Sequence, residues 1–553
     1  MTLSTLSSWQ WIGATPGRRR AACALLLVGL VAIAGAVHAV GMYQWPAPFD
    51  DEGTYVAQAW TVQHWGSLAH YTYWYDHPPF GWLTIAGWTS ITDAFGRLPD
   101  SVAVGRELML VVQLIAAPLV YVLARRLKLS VGASALALLL FSLSPLALLW
   151  HRLALLDNLA VVWVLASFVL AAAPKRHLLA AAGSGVALAA AVLTKETFLL
   201  FAPGVGYLMW ITYKGPTRRY ALTAAASLFA MCVAFYPLLA LLKGELVPGV
   251  GHVSLIEGIQ FQLFGRKGSG SIFDSHSLAR QVVNGWLSLD KIVPLLGIAM
   301  LPLVLRRRET RAIGIVLVIG LVMILRPGYL PSGHVTGFIP FLALSSAAGI
   351  ESFARATLRV GARLRAQLRD HAGRLGEVGP LRLQPGSAGF ASSEVLGVSL
   401  VVVTLTCGLG LTAGVWAARY EEAVGGHQAT GYIDYTGARA WMIDNLPRNS
   451  RILIGDEYWV DLVEVGFHPA NAVWFYKLDL DPEVQRRFPR GWRDMDYVVS
   501  SEGMRATVAE APSTKQAIAN SRVVRTFGTG SQRVEIRRIL RSPMQTATAT
   551  RQG

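Results

Sequence analysis

Residues 21–42, AACALLLVGLVAIAGAVHAVGM, form a continuous apolar run without a single charged side chain. A bilayer-spanning helix needs about 20 mostly apolar residues, so this run is long enough to cross a membrane. Ten further runs of this kind follow, at 107–124, 131–150, 156–173, 178–193, 197–213, 220–242, 292–305, 312–326, 334–353 and 394–418. The sequence therefore predicts an α-helical multi-pass membrane protein with about 11 transmembrane helices.

The composition agrees with a membrane protein. Hydrophobic residues make up 53% of the 553 residues and charged residues only 15%, whereas soluble domains average about 25% charged residues. This balance excludes a disordered, collagen-like or disulfide-framework protein. The three cysteines, Cys23, Cys232 and Cys407, all lie in apolar runs, so the sequence predicts no pairing for them.

The basic residues indicate the orientation in the membrane. The net charge of +16 comes from short clusters between apolar runs, a placement that indicates topology and not nucleic-acid binding. These clusters fall on alternate linkers, at 18–20, 125–128, 175–176, 214–219, 306–311 and 355–382. Cytoplasmic loops keep an excess of Lys and Arg. We therefore expect a protein of the cell membrane with a cytoplasmic N-terminus and an extracytoplasmic C-terminus. We also expect that the first span is not cleaved as a signal peptide.

The spacing of the apolar runs divides the chain into two regions. Residues 1–418 form the predicted membrane domain, with long outer loops at 43–106 and 243–291, and residues 419–553 are polar enough for a soluble extracytoplasmic domain. We expect this second domain to be a small α/β unit. Its predicted elements are a helix at Ala438–Leu446 and strands at Arg451–Ile454, Tyr497–Ser500 and Gln532–Ile539. The stretch 355–382 is typical of a basic amphipathic helix on the cytoplasmic leaflet.

Three adjacent acids, Asp50, Asp51 and Glu52, open the first outer loop directly after the first span. Neighbouring carboxylates raise one another's pKa, and they can act as a general base or collect a divalent cation such as Mg²⁺ or Mn²⁺. The alternative is an acidic turn at the N-terminus of a helix over 55–65, since acids favour that end. From its spacing, we expect this helix to lie at the membrane interface.

The same loop continues with an aromatic segment, YTYWYDHPPF, at 71–80. Aromatic side chains in this number are typical of a membrane-interface belt, and their faces can equally stack on sugar rings. We predict that Trp74, Tyr75, Asp76 and His77 contribute to an acceptor or sugar site, together with His334, which opens the tenth run.

Several charges lie at the outer ends of apolar runs, where charged side chains are costly and often functional. Arg152 and Asp157 share a short outer turn and could pair with each other, and Lys195 and Glu196 could neutralise each other. A third cation, Arg326, ends the ninth run. Because convergent cations suit a phosphate, we expect Lys195, Arg152 and Arg326 to bind one.

Taken in order along the chain, four motifs resemble those of the GT-C membrane glycosyltransferases, in particular the dolichyl-phosphate-mannose–protein mannosyltransferases and the bacterial aminoarabinose transferase of lipid A. They are Asp51–Glu52, the segment 76–79, the turn 152–157 and Lys195, and the resemblance covers roughly residues 20–350. Trp82 stands where protein mannosyltransferases usually carry Lys, and no β-trefoil-like repeat is visible after residue 419.

The resemblance implies a catalytic base at Asp51, a site lined by Asp157, an acceptor side shaped by the His-Pro-Pro segment, and a donor phosphate near Lys195. Asp50 competes with Asp51 for the role of base. The implied reaction is the inverting transfer of a hexosyl or pentosyl group from a polyprenyl-phosphate donor to a hydroxyl of a glycan, lipid or protein of the cell envelope. No cofactor is certain.

Two other classes of function remain open. Charges at membrane depth also mark transporters and lipid flippases, which usually show internal repeats that are not visible in this sequence. A membrane-anchored binding or assembly protein is the third possibility. The glycine-rich and basic part of the second outer loop, 264–274, could be a lid over the donor or a solvated linker.

Overall fold

The computed structural model describes residues 16–375, 406, 410, 412–417, 419–420 and 430–540. Most of the eleventh apolar run, the end of the basic stretch beyond residue 375, and most of the predicted boundary between the two domains therefore lie outside the described residues. The Asp50 side chain is also outside the description, although its backbone lies in a helix.

The first region is helical throughout. Its helices are α1 Pro16–Ala39, α2 Asp50–Trp65, α3 Phe80–Thr92, α4 Ala94–Arg97, α5 Ser101–Arg126, α6 Val131–Leu143, α7 Pro145–Arg152, α8 Leu156–Ala171, α9 His177–Thr194, α10 Ala202–Thr212, α11 Gly215–Val233, α12 Phe235–Leu242, α13 Leu255–Gln260, α14 Leu278–Leu289, α15 Ile292–Ala299, α16 Leu301–Arg306, α17 Arg311–Leu325 and α18 Ile339–Leu375. The stretch 355–375 is a helical continuation of α18, as the sequence predicts.

Among the described residues, four segments are long and apolar enough to cross a membrane: Arg20–Ala39, Ser101–Arg126, His177–Thr194 and Gly215–Leu242. Two bent pairs pass the same criterion together, α6 with α7 at 59° and α14 with α15 at 105°. The bend after α6 falls at Ser144, which precedes Pro145, and a residue before proline is disfavoured in the helical region. The apolar helices α8 and α17 are shorter. The count of 11 crossings stays a prediction.

Close contacts between small residues pack these helices. The core follows the chain order, with α5 against α6 and α8, α8 against α9, and α9 against α11. At Gly185 in α9, an added Cβ would lie 2.2 Å from the carbonyl oxygen of Ala225 in α11. Backbone approach of this kind is how membrane helices gain van der Waals contact without a hydrophobic driving force.

The second region is a small α/β unit, as the sequence predicts. Its helices are α19 Thr430–Asn445, α20 Trp459–Glu464, α21 Lys477–Leu480, α22 Pro482–Arg487, α23 Glu502–Thr507 and α24 Pro512–Ala519. Its strands are β1 Ile452–Ile454, β2 Ala472–Trp474, β3 Tyr497–Ser500, β4 Ser521–Phe527 and β5 Val534–Ile539. Strand β1 pairs in parallel with β2 and β3, and β5 pairs antiparallel with β3 and β4, in the order β2-β1-β3-β5-β4.

Helix α2 packs against this unit, a contact that the sequence did not predict, and its position at the membrane interface stays a prediction. A Cβ at Gly53 would lie 2.1 Å from the backbone nitrogen of Glu457, so only glycine permits this approach. Further along the helix, Trp60 Nε1 donates to Glu464 Oε1 at 3.0 Å. The C-terminal unit and the first outer loop therefore lie on the same face of the molecule.

We predict that this shared face is extracytoplasmic. In a background free of native cysteines, Phe273→Cys in the second outer loop and Val523→Cys on strand β4 should react with a membrane-impermeant maleimide in intact cells, because both side chains are exposed. Lys214→Cys, in a basic linker, should react only after permeabilisation. Labelling of Val523→Cys only after permeabilisation would contradict the predicted orientation.

Candidate active site

A charged cluster gathers around Asp51, in the first turn of α2. The Asp51 side chain is open to solvent, yet protein surrounds it closely enough that desolvation raises the pKa of its carboxyl group. The charges of Lys195, His77 and Arg266 oppose this increase in pKa, and that of Asp157 adds to it. We call Asp51, His77, Asp157, Lys195 and Glu196 the central cluster. Its members come from α2, the first outer loop, α8 and the end of α9.

Lys195 and Asp157 form an ion pair at the centre of this cluster. Lys195 Nζ lies 2.6 Å from Asp157 Oδ2, and the two side chains are 14% and 7% exposed. Asp157 lies in the first turn of α8, and Lys195 directly follows α9. The sequence allowed Asp157 to pair with Arg152 and placed the partner of Lys195 outside the chain. The structure pairs Asp157 and Lys195 with each other instead, because spacing along one chain does not reveal contacts between helices. The binding of a phosphate by Lys195 stays a prediction.

His77 pairs with Glu196, so the expected neutralisation of Glu196 by Lys195 is replaced by a second ion pair. His77 Nδ1 lies 2.8 Å from Glu196 Oε2. Burial lowers the pKa of His77, but the charge and hydrogen bond of Glu196 outweigh it and raise the pKa overall. The His77 carbonyl oxygen accepts hydrogen bonds from the hydroxyls of Tyr73, at 3.0 Å, and Tyr236, at 3.2 Å. This segment is therefore held in place beside the cluster.

Three further polar residues border the cluster. Among the described residues, His334 Nε2 is buried without a hydrogen-bond partner, and the charges of Asp157, Lys195 and Arg326 act on its ring. Arg326 itself is exposed. Arg266 was not among the predicted site residues. Its guanidinium stacks on Tyr329 at 4.6 Å from the ring centroid, and the only sequence signal for it was the basic character of 264–274.

The second outer loop packs directly on the first. Gln262 Nε2 donates to the carbonyl oxygen of Asp76 at 2.8 Å, and a Cβ at Gly258 would lie 2.8 Å from the carbonyl oxygen of Tyr75. Ser269 N donates to the carbonyl oxygen of Gly328 at 3.0 Å. These contacts hold the part of the loop around Arg266 against the rest of the protein, and the charge of Arg266 acts on Asp51. The loop is therefore not a detached linker here, and its role as a lid stays a prediction.

The aromatic residues Trp74 and Tyr75 lie in the segment that leads to His77, and both already have contacts within the protein: Tyr75 is buried and Trp74 is half-buried. Tyr75 is 2% exposed, and its hydroxyl donates to Glu245 Oε2 at 2.6 Å. Lys477 of the C-terminal unit lies 4.5 Å from the centroid of the Trp74 ring. Because a sugar stacks only on a free ring face, our proposal below gives neither residue the stacking role that the sequence suggested.

Glu52 forms the most fully satisfied buried ion pair near the cluster. Arg106 donates to both carboxylate oxygens, through Nε at 2.9 Å and Nη2 at 2.7 Å. The backbone nitrogens of Phe49 and Ala154 also donate to Glu52. With four donors on a fully buried carboxylate, our proposal assigns Glu52 a structural role in place of the catalytic and metal-binding roles expected from the sequence.

Arg152 has a similar structural role at the end of α1. Its Nη2 donates to the carbonyl oxygens of Val37 and Val40, both at 2.7 Å, and its Nη1 donates to that of Trp45 at 3.3 Å. Cations near a helix C-terminus satisfy carbonyls that lack intrahelical partners. We therefore omit Arg152 from the phosphate-binding residues that the sequence suggested.

The expected metal site at Asp50, Asp51 and Glu52 finds no support in the described side chains. Within the described ranges, no three His, Cys, Asp or Glu residues are grouped so as to hold a metal ion. The Asp50 side chain lies outside the description, and the Glu52 oxygens are taken by Arg106. We derive no chemical step through a metal.

Comparisons with known proteins agree with this architecture. No protein-family model and no curated protein matches the chain. Among solved structures, it is similar to ArnT from Cupriavidus metallidurans bound to undecaprenyl phosphate, with 17% identity, a TM-score of 0.57, and coverage of 92% of this chain and 97% of that chain.

The chain is also similar to the oligosaccharyltransferase AglB from Archaeoglobus fulgidus in complex with an inhibitory peptide and a dolichol-phosphate. The identity is 13%, the TM-score 0.50, and the coverage 95% of this chain and 75% of that chain. Both neighbours are GT-C glycosyltransferases. The resemblance noted in the sequence is thus confirmed at the level of the fold: the chain is similar in fold to these GT-C membrane proteins.

We predict that the pair of Arg106 and Glu52 is essential for stability. Arg106→Met leaves Glu52 buried and charged without its partner, which should cost about 3–5 kcal/mol and lower the Tm measured in detergent. Arg97→Met is the matched control, because Arg97 pairs with Glu107 at 2.8 Å on the surface and exposed pairs contribute about 0–1 kcal/mol. Equal Tm changes in the two variants would contradict the structural role.

Proposed function

We propose that this protein is an inverting glycosyltransferase that moves a sugar from a polyprenyl-phosphate donor to an acceptor hydroxyl at the outer face of the membrane. The observation that carries the proposal is the position of Asp51, an accessible carboxylate whose pKa is raised, beside the buried Lys195–Asp157 pair. The neighbours bound to undecaprenyl phosphate and dolichol-phosphate support a lipid-linked donor.

In the proposed reaction, Asp51 removes the proton from the acceptor hydroxyl while that oxygen attacks the anomeric carbon of the donor. The bond between this carbon and the phosphate oxygen breaks, and polyprenyl phosphate leaves with the bonding electrons. A base with a raised pKa holds the abstracted proton more strongly, which suits this task. Attack from the side opposite the leaving phosphate inverts the anomeric centre.

The leaving phosphate gains negative charge in the transition state, so cations directed at it lower the barrier. Lys195 has three N–H donors, and its contact with Asp157 Oδ2 uses one of them. We propose that the remaining donors bind the phosphate, with Arg266 and Arg326 contributing from the other side. Asp157 then acts as a positioning residue that holds the ammonium group of Lys195 in place.

The acceptor side, in this proposal, is bordered by the segment of Asp76 and His77. His77 is fixed by Glu196 and by two tyrosine hydroxyls, so it can present its ring in one orientation. The unpaired Nε2 of His334 is available to a hydroxyl of the bound sugar. A hexosyl and a pentosyl donor both remain compatible with this arrangement.

We predict that Asp51→Asn lowers turnover about 10²–10⁴-fold, because it removes the proton acceptor and preserves the shape of the side chain. The measurement is release of polyprenyl phosphate from a panel of labelled polyprenyl-phosphate sugars by the purified protein. Asp50→Asn is the matched control and should retain activity. Loss of activity in Asp50→Asn with an active Asp51→Asn would move the base by one residue.

The pH profile gives a second test of the same residue. Only ionised Asp51 can accept a proton, so kcat/KM should fall as the pH drops through its raised pKa. The acidic limb of the wild-type profile should therefore lie above the ordinary aspartate value of about 3.9, and Asp51→Asn should lack it. If the protein moves labelled lipid across vesicles without releasing polyprenyl phosphate, it is a transporter and the proposal is wrong.

We predict that Lys195→Ala weakens the affinity for polyprenyl phosphate about ten- to hundredfold, the range expected for losing a charged hydrogen bond. The single variant leaves the buried Asp157 unpaired, so its effect on folding must be separated from its effect on binding. The double variant Lys195→Ala/Asp157→Asn removes both charges and serves as the control. A wild-type Kd in the double variant would show that Lys195 only balances Asp157.

A further inference from the structure

The second outer loop contains a short segment with two different faces. We call residues 255–264 the loop segment; it consists of α13 and the turn that follows it. Ser254 caps the helix, since its hydroxyl accepts a hydrogen bond from Glu257 N at 3.1 Å, and Leu255 N donates to the carbonyl oxygen of Glu245 at 2.9 Å. These contacts fix the rotation of the segment about its own axis.

One face of the loop segment packs on the first outer loop. Leu255 and Gly258 are buried, and Gln262 binds the backbone of Asp76. The neighbouring face, about 100° around the helix axis, is apolar and exposed. It consists of Ile256, Ile259, Leu263 and Phe264, the last two being 68% and 83% exposed. This spacing is the apolar stripe of an amphipathic helix, but here it faces away from the protein.

The loop segment begins close to the end of an exposed apolar helix. Helix α12 ends at Leu242, only a short distance along the chain before the segment, and Ile256 N donates to the carbonyl oxygen of Leu246 at 3.4 Å. Large apolar side chains are exposed along α11 and α12, at Met231, Phe235, Leu238, Leu241 and Leu242. Lys267, which follows the segment, is exposed as well.

We propose that the loop segment lies in the interface of the outer leaflet, with Ile256, Ile259, Leu263 and Phe264 inserted among the lipids. A segment with an apolar face and few charges on that face binds at the boundary of headgroups and acyl chains. Lys267 suits contact with anionic headgroups. Because the neighbouring helices already lie in the bilayer, lipid can cover this surface without the binding of another protein.

In this arrangement, the loop segment connects the bilayer to the central cluster. The face that packs on the first outer loop carries Gln262, which donates to the backbone carbonyl of Asp76, and Arg266 follows the segment, where its charge acts on Asp51. If the proposed function holds, the lipid-linked donor meets the loop segment at the border between the bilayer and the central cluster. The membrane contact itself stands apart from the catalytic proposal, because it needs no donor.

The test uses a fluorescent reporter of lipid contact. Phe264→Cys and Val523→Cys, each in a background free of native cysteines, are labelled with an environment-sensitive NBD dye and reconstituted in phosphatidylcholine–phosphatidylglycerol vesicles. Val523 is the matched control, because it is an exposed apolar side chain on strand β4. We expect blue-shifted emission at position 264 and loss of its intensity when nitroxide-labelled acyl chains are included, with neither change at position 523.

Unquenched, unshifted emission at position 264 would overturn the proposal. A blue shift without quenching would also overturn it, since it would mean that protein, such as a second copy of this chain, covers the stripe. Leu263→Cys provides the same measurement if Phe264→Cys does not purify. The vesicles contain no polyprenyl-phosphate sugar, so a negative result here would leave the proposed transferase activity untouched.

Discussion

The buried ion pair between Glu52 and Arg106 sets the geometry of the site. Removing two charges from water is costly, and such a pair persists only when its remaining donors and acceptors are satisfied. Arg106 meets this condition by donating to the backbone carbonyls of Met42, Tyr43, Pro46 and Ala47 as well as to Glu52. The pair therefore connects α5, the turn after α1 and the first turn of α2. Consecutive helical residues point about 100° apart, so fixing Glu52 inward fixes the direction of Asp51.

The C-terminal unit also supports the first outer loop. In open α/β sheets, ligands bind outside the carboxyl ends of the strands. Here the residues after β1 and β2 contact the membrane domain instead: the Thr54 hydroxyl donates to Asp456 Oδ2, and the Lys477 ammonium lies over Trp74. Thr72 donates to Asp481 Oδ1 at 2.9 Å. The edge of the sheet at which an isolated α/β domain would bind a ligand therefore contacts and supports the first outer loop.

The sequence predicted those features that depend on local patterns. Long apolar runs revealed α1, α5 and α9, and short alternating or buried runs revealed β1, β3 and β5. Strand β2, at Ala472–Trp474, was not predicted, because three residues are too few to show a strand pattern. Strand β4 was not predicted either, because most of its side chains are exposed. Helix α14 was assigned to a loop, since hydropathy does not distinguish an amphipathic helix there.

The same holds for the candidate site: residues that stand next to a predicted span could be identified from the sequence, but contacts between distant parts of the chain could not. Asp51, His77 and Lys195 could be identified from their positions next to predicted spans. The pairing of Lys195 with Asp157 could not, because it depends on how α8 packs against α9. Arg266 could not either, because its role arises only when the second outer loop folds onto the first. The contacts of Arg152 with carbonyl oxygens at and after the end of α1 could not be predicted either, since a sequence does not show which carbonyls lack a partner.

The charge balance of the central cluster explains why Arg266 matters to the proposed chemistry. The cluster holds three carboxylates, Asp51, Asp157 and Glu196, against Lys195 and His77, so it is net negative even with His77 protonated. A phosphate entering such a site alone would be repelled. Arg266 and Arg326 come from segments that meet where Ser269 pairs with Gly328, and together they add the positive charge that an anionic donor requires. In this proposal the second outer loop is therefore part of the donor site, while Asp51 remains free to accept a proton.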